Sequence, residues 1–161
     1  MNLIKGFMKI DTILLDKLTA QAKESPRLRM NLDLRNSDAD SSQRMLNAIE
    51  PGSVVPIHRH RTTSEVVVML RGRAVQYLYD EQGRVVASFE LRSWGDARSK
   101  SGMTEVESGV TEGEAMTEVV CAMSIPAGQW HKLVALESGT VIFEAKDGPF
   151  EPLAPEDVLE R

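Results

Sequence analysis

The chain has 161 residues, a formal net charge of −5, one cysteine and three histidines. That length suits a single domain able to bury roughly 70% of its unfolded surface, and 42% hydrophobic with 27% charged residues excludes a disordered or fibrous class. One cysteine excludes an intrachain disulfide and a cysteine-rich zinc or iron–sulfur site, and the acidic balance argues against a nucleic-acid partner.

The N-terminal segment MNLIKGFMKIDTILLDK is apolar in places, but Lys5, Lys9 and Asp11 interrupt it, which argues against a signal peptide. Nothing approaches the ~18 apolar residues of a membrane span. The expectation is a cytoplasmic protein with no membrane partner, in keeping with the lone cysteine. Asp11 to about Lys23 reads as a helix, allotted residues 11–25, capped by Asp11 and ended by Pro26, with Leu14, Leu15, Leu18 and Ala22 at helical spacing. Arg27 to Arg35 alternates and is expected to be extended, followed by a polar loop.

From Gln43 onward the pattern is β. Strands are expected over QRMLNAI, Val54 to His60, Glu65 to Leu70, Arg73 to Tyr79, Arg84 to Leu91, Val119 to Ile125, Trp130 to Leu136 and Val141 to Lys146. Gly and Pro punctuate them, which suggests an all-β sandwich or barrel over 43–146 within one domain spanning 1–161. Residues 96–117, rich in Gly, Ser, Glu and Thr, read as an acidic surface insertion loop.

His58 and His60 stand two apart in an expected strand, so alternation puts them on one face. Glu65 opens the next apolar run, and His131 follows the turn Pro126-Ala127-Gly128. Imidazoles with one carboxylate suit a divalent transition metal (iron, manganese, nickel, zinc or copper) better than calcium or magnesium. Glu65 could instead orient a histidine from behind.

The flanking residues sharpen this. Gly52-SVVPI-His58-R-His60-RTTS-Glu65-VVVMLR-Gly72 matches the first cupin motif position for position, and Pro126-A-Gly128-QW-His131 holds the core of the second. The second motif's leading glycine and trailing asparagine are replaced by Val120 and Ala135. The chain therefore resembles the cupins. The resemblance implies a double-stranded β-helix, or jelly-roll barrel, with a short N-terminal helix and one metal ion held by His58, His60, Glu65 and His131. QRMLNAIEPG, IPAGQWH and GTVIFEAKDGPFEP resemble the WbuC-type branch associated with bacterial O-antigen gene clusters. That branch implies a metal-dependent enzyme acting on a small polar or sugar-derived substrate in surface-polysaccharide metabolism, and cupin dimers imply a homodimer. The alternatives are a non-catalytic cupin that binds or senses a small molecule, and a metal-independent epimerase, against which the third histidine argues.

Other residues have plainer readings. Trp130 is expected to face away from His131 and pack. Among Gln76, Tyr77 and Tyr79, alternation turns every second side chain inward, where one could meet a ligand. Arg27, Arg29, Arg59 and Arg61 form a loose basic group, either solvated or suited to a carboxylate or phosphate at the barrel mouth. Cys121 is expected to be a buried small hydrophobe. With every histidine on a ligand position, none is spare for a general base.

Overall fold

The computed structural model describes residues 7–100 and 118–159. Helix α1 (Thr12–Glu24) begins where the Asp11 side chain accepts from the Leu14 amide at 3.1 Å. It ends at Ser25, which is extended (ψ 134°) because the following proline disfavours helical backbone. Its stripe of Leu15, Leu18, Thr19 and Ala22 is buried, and its leucines and alanine pack with Leu46, Ala48 and Val141. Arg71 fastens the helix to the barrel through Asp16 Oδ1 (2.6 Å) and Thr19 Oγ1 (3.1 Å).

Two sheets form the barrel. The first contains β1 (Arg29–Asp33), β2 (Ser42–Ile49), β4 (Glu65–Arg71), β8 (Ala122–Ile125) and β10 (Thr140–Asp147), in the spatial order β1-β2-β10-β4-β8. The second contains β3 (Ile57–His58), β5 (Arg73–Tyr79), β6 (Val85–Arg92), β7 (Glu118–Val120), β9 (Trp130–Ala135) and β11 (Val158–Leu159), in the order β11-β3-β9-β5-β6-β7. Among the described residues, only the short β6–β7 pair is parallel. Ile49, Val67, Met69, Ala74, Leu91, Ile125, Leu133, Ala135 and Ile142 fill the space between the sheets. β2 and β10 are covered on both faces: Ile49 and Ile142 join this core, while Ala48 and Val141 meet the helix.

Four local outcomes differ from the sequence reading. The expected strand from Val54 to His60 shrinks to Ile57–His58, because Pro56 has no amide for a ladder. The run from Val119 to Ile125 splits at Cys121, where the chain passes from the second sheet to the first. Cys121 is accordingly half-buried at a corner rather than in the core, and its carbonyl accepts from the Met69 amide at 2.9 Å. Trp94–Lys100 forms a short helix, α2, where a loop is expected from residue 96; residues 101–117, the rest of the expected insertion, lie outside the described residues. A 3-10 turn (Pro155–Asp157) and β11 form a C-terminal strap with no counterpart in the sequence reading. Among the described residues, no helix is long and apolar enough to cross a membrane.

Candidate metal centre

Strand pairing brings the separated motif residues together. β3 lies antiparallel to β9 with His58 directly opposite His131. Their rings approach to 4.4 Å between centroids, with His60 at 5.3 Å from His58 and 5.7 Å from His131. His60 lies just beyond β3, and its carbonyl accepts from the Gly128 amide at 2.7 Å. The second motif's turn thus anchors the first motif's loop. Gly128 has φ +82°, a conformation that favours glycine at this turn.

One ring nitrogen from each of His58, His60 and His131 lies within 4.8 Å of the others, so the three could hold a metal ion. Nδ1 of His58 lies 3.0 Å from the Pro56 carbonyl, and Nδ1 of His131 lies 2.8 Å from that of Gln129. A carbonyl can only accept, so both Nδ1 atoms carry a proton, and in the neutral rings both Nε2 atoms present a lone pair to the centre. His131 Nε2 is buried without an aligned hydrogen bond, although Glu65 Oε1 lies 3.0 Å away. A buried lone pair left this way, beside two further imidazoles and a carboxylate, fits a divalent transition metal.

Glu65 opens β4 on the same face as Val67 and Met69 and is only 4% exposed. Its carboxylate lies 3.3 Å from His60 Nε2 and 3.5 Å from Lys146 Nζ. Burial alone would raise its pKa; the adjoining His131 and His60 imidazoles and the Lys146 charge overcome that and hold it well below the usual carboxylate range. His58 is pushed down to about 4 by burial and by His131. For His131, burial acts downward, but Glu65 outweighs it and raises the imidazole.

The three histidines and Glu65 open into a cavity of about 490 Å³ between the sheets. Gln76 is the inward member of its strand, as alternation allows, and is 1% exposed; its Nε2 has no hydrogen-bond partner among the described residues. Two charged residues escaped the sequence reading. Lys146 places Nζ 3.3 Å from His60 Nε2. Glu144, two residues earlier on β10, accepts from Asn47 Nδ2 at 2.6 Å, and burial followed by the Glu65 charge pushes it up to about 7. The signal was available: Ile142, Glu144 and Lys146 alternate along a strand, so one core residue commits both charges to the interior.

The basic group divides in two. Arg59 and Arg61 share Asp157 Oδ1 through their Nε atoms (3.0 and 2.5 Å), which ties the strap to the His-Arg-His segment. Arg59 also lies over Trp130, 4.4 Å from its ring, and Trp130 donates Nε1 to Glu81 at 3.1 Å. Trp130 is therefore buried packing, as expected. Arg27 and Arg29 instead line the cavity.

The model of a family described as "Domain of unknown function (DUF6016)" matches residues 10–91, half of the chain. No curated protein matches the sequence. Among solved structures, an oxalate oxidase in complex with the substrate analogue glycolate is 11% identical with a TM-score of 0.54, covering 82% of this chain and 57% of its own. CapF with a tropolone inhibitor is 17% identical with a TM-score of 0.50, covering 76% of this chain and 28% of its own. This chain thus spans little more than half of the oxalate oxidase and about a quarter of CapF, and at these identities the likeness speaks for the fold alone. Motif, sheets and structural neighbours agree on a cupin jelly roll, and the chain belongs to the DUF6016 family.

Proposed function

We propose that the protein is a metal-binding cupin that holds one divalent transition ion through His58, His60, Glu65 and His131 and takes a small polar molecule into the adjoining cavity. The convergence of three imidazole nitrogens within 4.8 Å carries this reading. The carbonyl bonds that fix the His58 and His131 tautomers support it. When bound, the metal would supply a Lewis acid for a coordinated oxygen, or redox chemistry if it is iron.

The chain's own residues define what the cavity can do. Gln76 offers a buried amide donor to a ligand oxygen. Glu144, held near neutral pKa and oriented by Asn47, can keep a proton at the wall at physiological pH and give it up. Lys146 brings a positive charge beside Glu65. Ile49 and Leu133 flank this polar floor with apolar packing, which limits water and strengthens each contact. A carboxyl in this position answers the lack of a spare histidine. The WbuC-like segments favour a sugar-derived ligand from surface-polysaccharide metabolism.

Elemental analysis of protein purified without added metal tests the core of the proposal. Near-stoichiometric transition metal is expected, falling sharply in His58→Ala and His131→Ala; full occupancy in both variants would overturn it. Turnover in a panel of sugar derivatives supports an enzyme, whereas saturable binding without conversion supports the sensing alternative.

A further inference from the structure

We infer that Arg27 and Arg29 form an anion clamp at the cavity mouth, so that the small molecule taken by this cupin carries a carboxylate or phosphate. The inference rests on the reading of the cavity as a ligand site, and it adds the ligand's charge.

Both arginines line the same cavity as His58, His60 and His131. Neither has an acidic partner within ion-pair distance among the described residues, although Glu151 also lines the cavity. Arg59, Arg61, Arg71 and Arg73, by contrast, are each paired with a carboxylate. Like charges placed together without a counter-ion are unfavourable, the more so because Arg29 is partly desolvated. That burial, and then the Arg27 charge, lower the Arg29 pKa.

The backbone holds the pair in place. Leu28, between them, has φ 54°, an uncommon conformation for a side-chain-bearing residue. Its carbonyl accepts from the Glu50 amide at 2.9 Å, and the Ser53 hydroxyl donates to the Arg27 carbonyl at 2.9 Å. Arg29 Nη1 donates to the Val54 carbonyl at 3.2 Å, which leaves the rest of its fork for a ligand. Arginine forks match carboxylate and phosphate oxygens in a bidentate fashion. Deeper in the cavity, Gln76 Nε2 is a further donor awaiting an oxygen.

The test uses titration of the full chain with inorganic phosphate and, separately, acetate, followed by NMR, with glycerol as the neutral control. Saturable binding of phosphate or acetate but not glycerol is expected, and the preferred anion identifies the ligand's charged group. In Arg27→Gln/Arg29→Gln that affinity should fall at least about tenfold, while metal content stays at the wild-type level. His131→Ala should lose metal yet retain the anion. Wild-type affinity in the double arginine variant, or loss of the anion in His131→Ala with none in the arginine variant, would overturn the clamp. The first failure leaves the metal proposal standing, and loss of metal reading alone leaves the clamp standing.

Discussion

Lys146 Nζ stands 3.3 Å from His60 Nε2 and 3.5 Å from Glu65 Oε2, so an ammonium group shares the space of two proposed metal ligands. Two like unit charges about 4 Å apart repel by about 4 kcal/mol at an effective dielectric of 20. A lysine stem can swing aside, so only part of that cost persists once a cation binds. Lys146→Met should therefore raise divalent-metal affinity about tenfold, read by competition with a chromophoric chelator. A weaker site in this variant would mean that the lysine supports the metal rather than competing with it.

Gly72, the last glycine of the first motif, makes a different prediction. A Cβ there would stand 2.7 Å from the Thr140 Cα and collide with Thr140 Oγ1, on backbone at φ +83°. Thr140 cannot retreat easily: it is fully buried, and its hydroxyl bonds Arg73 on both sides, at 3.2 Å from the amide and 3.1 Å from the carbonyl. Alanine would restrict the unfolded chain, a gain below about 1 kcal/mol, but clash and strain outweigh it. Gly72→Ala should lose about 2–4 kcal/mol and lower Tm by about 5–15 °C. Calorimetry showing an unchanged Tm would refute the close-approach argument.

The C-terminal strap gives a third test. Asp157 accepts from Arg59 and Arg61, and its carbonyl accepts from the Arg59 amide at 3.1 Å, directly between the two histidines of the His-Arg-His segment. The paired guanidinium groups outweigh the effect of burial and hold its pKa below the ordinary value. Asp157→Ala should weaken metal binding about tenfold by loosening this backbone, with secondary structure retained by circular dichroism. A metal affinity equal to wild type would reduce the strap to a surface tie.

The candidate metal motif was legible because its information is local: two histidines, a glutamate and two glycines at fixed spacing within 21 positions, Gly52 to Gly72. The opposition of His58 and His131 was not, since it depends on β3 pairing with a strand more than seventy residues later. The helix was readable from Asp11, the leucine spacing and Pro26, all within one segment. The strap escaped because Val158–Leu159 is too short to show alternation, and it is held by Asp157 to arginines far away in sequence. The basic cluster read as one group because sequence proximity does not reveal partners; Asp157 claims Arg59 and Arg61 and leaves Arg27 and Arg29 at the cavity.

Glu144 and His58 should tilt stability in opposite directions with pH in metal-free protein. Glu144 is raised from 4.5 to about 7, first by burial and then by Glu65. Between those values the folded state holds a proton that the unfolded state has released. Its contribution is therefore complete below about 4.5 and is lost as pH rises to about 7. His58 is lowered from 6.5 to about 4, first by burial and then by His131, so the unfolded state binds the extra proton. Its contribution is complete above 6.5 and is lost as pH falls towards 4. The two slopes oppose each other across their shared window. Glu144→Gln removes only the first, because a neutral amide keeps the shape and can still meet Asn47. Urea unfolding at several pH values should show wild type losing stability relative to Glu144→Gln from pH 5 to pH 7, with the difference level above that. A difference that is flat across the range would mean that Glu144 is ionised throughout, and it would remove the proton assigned to the cavity wall.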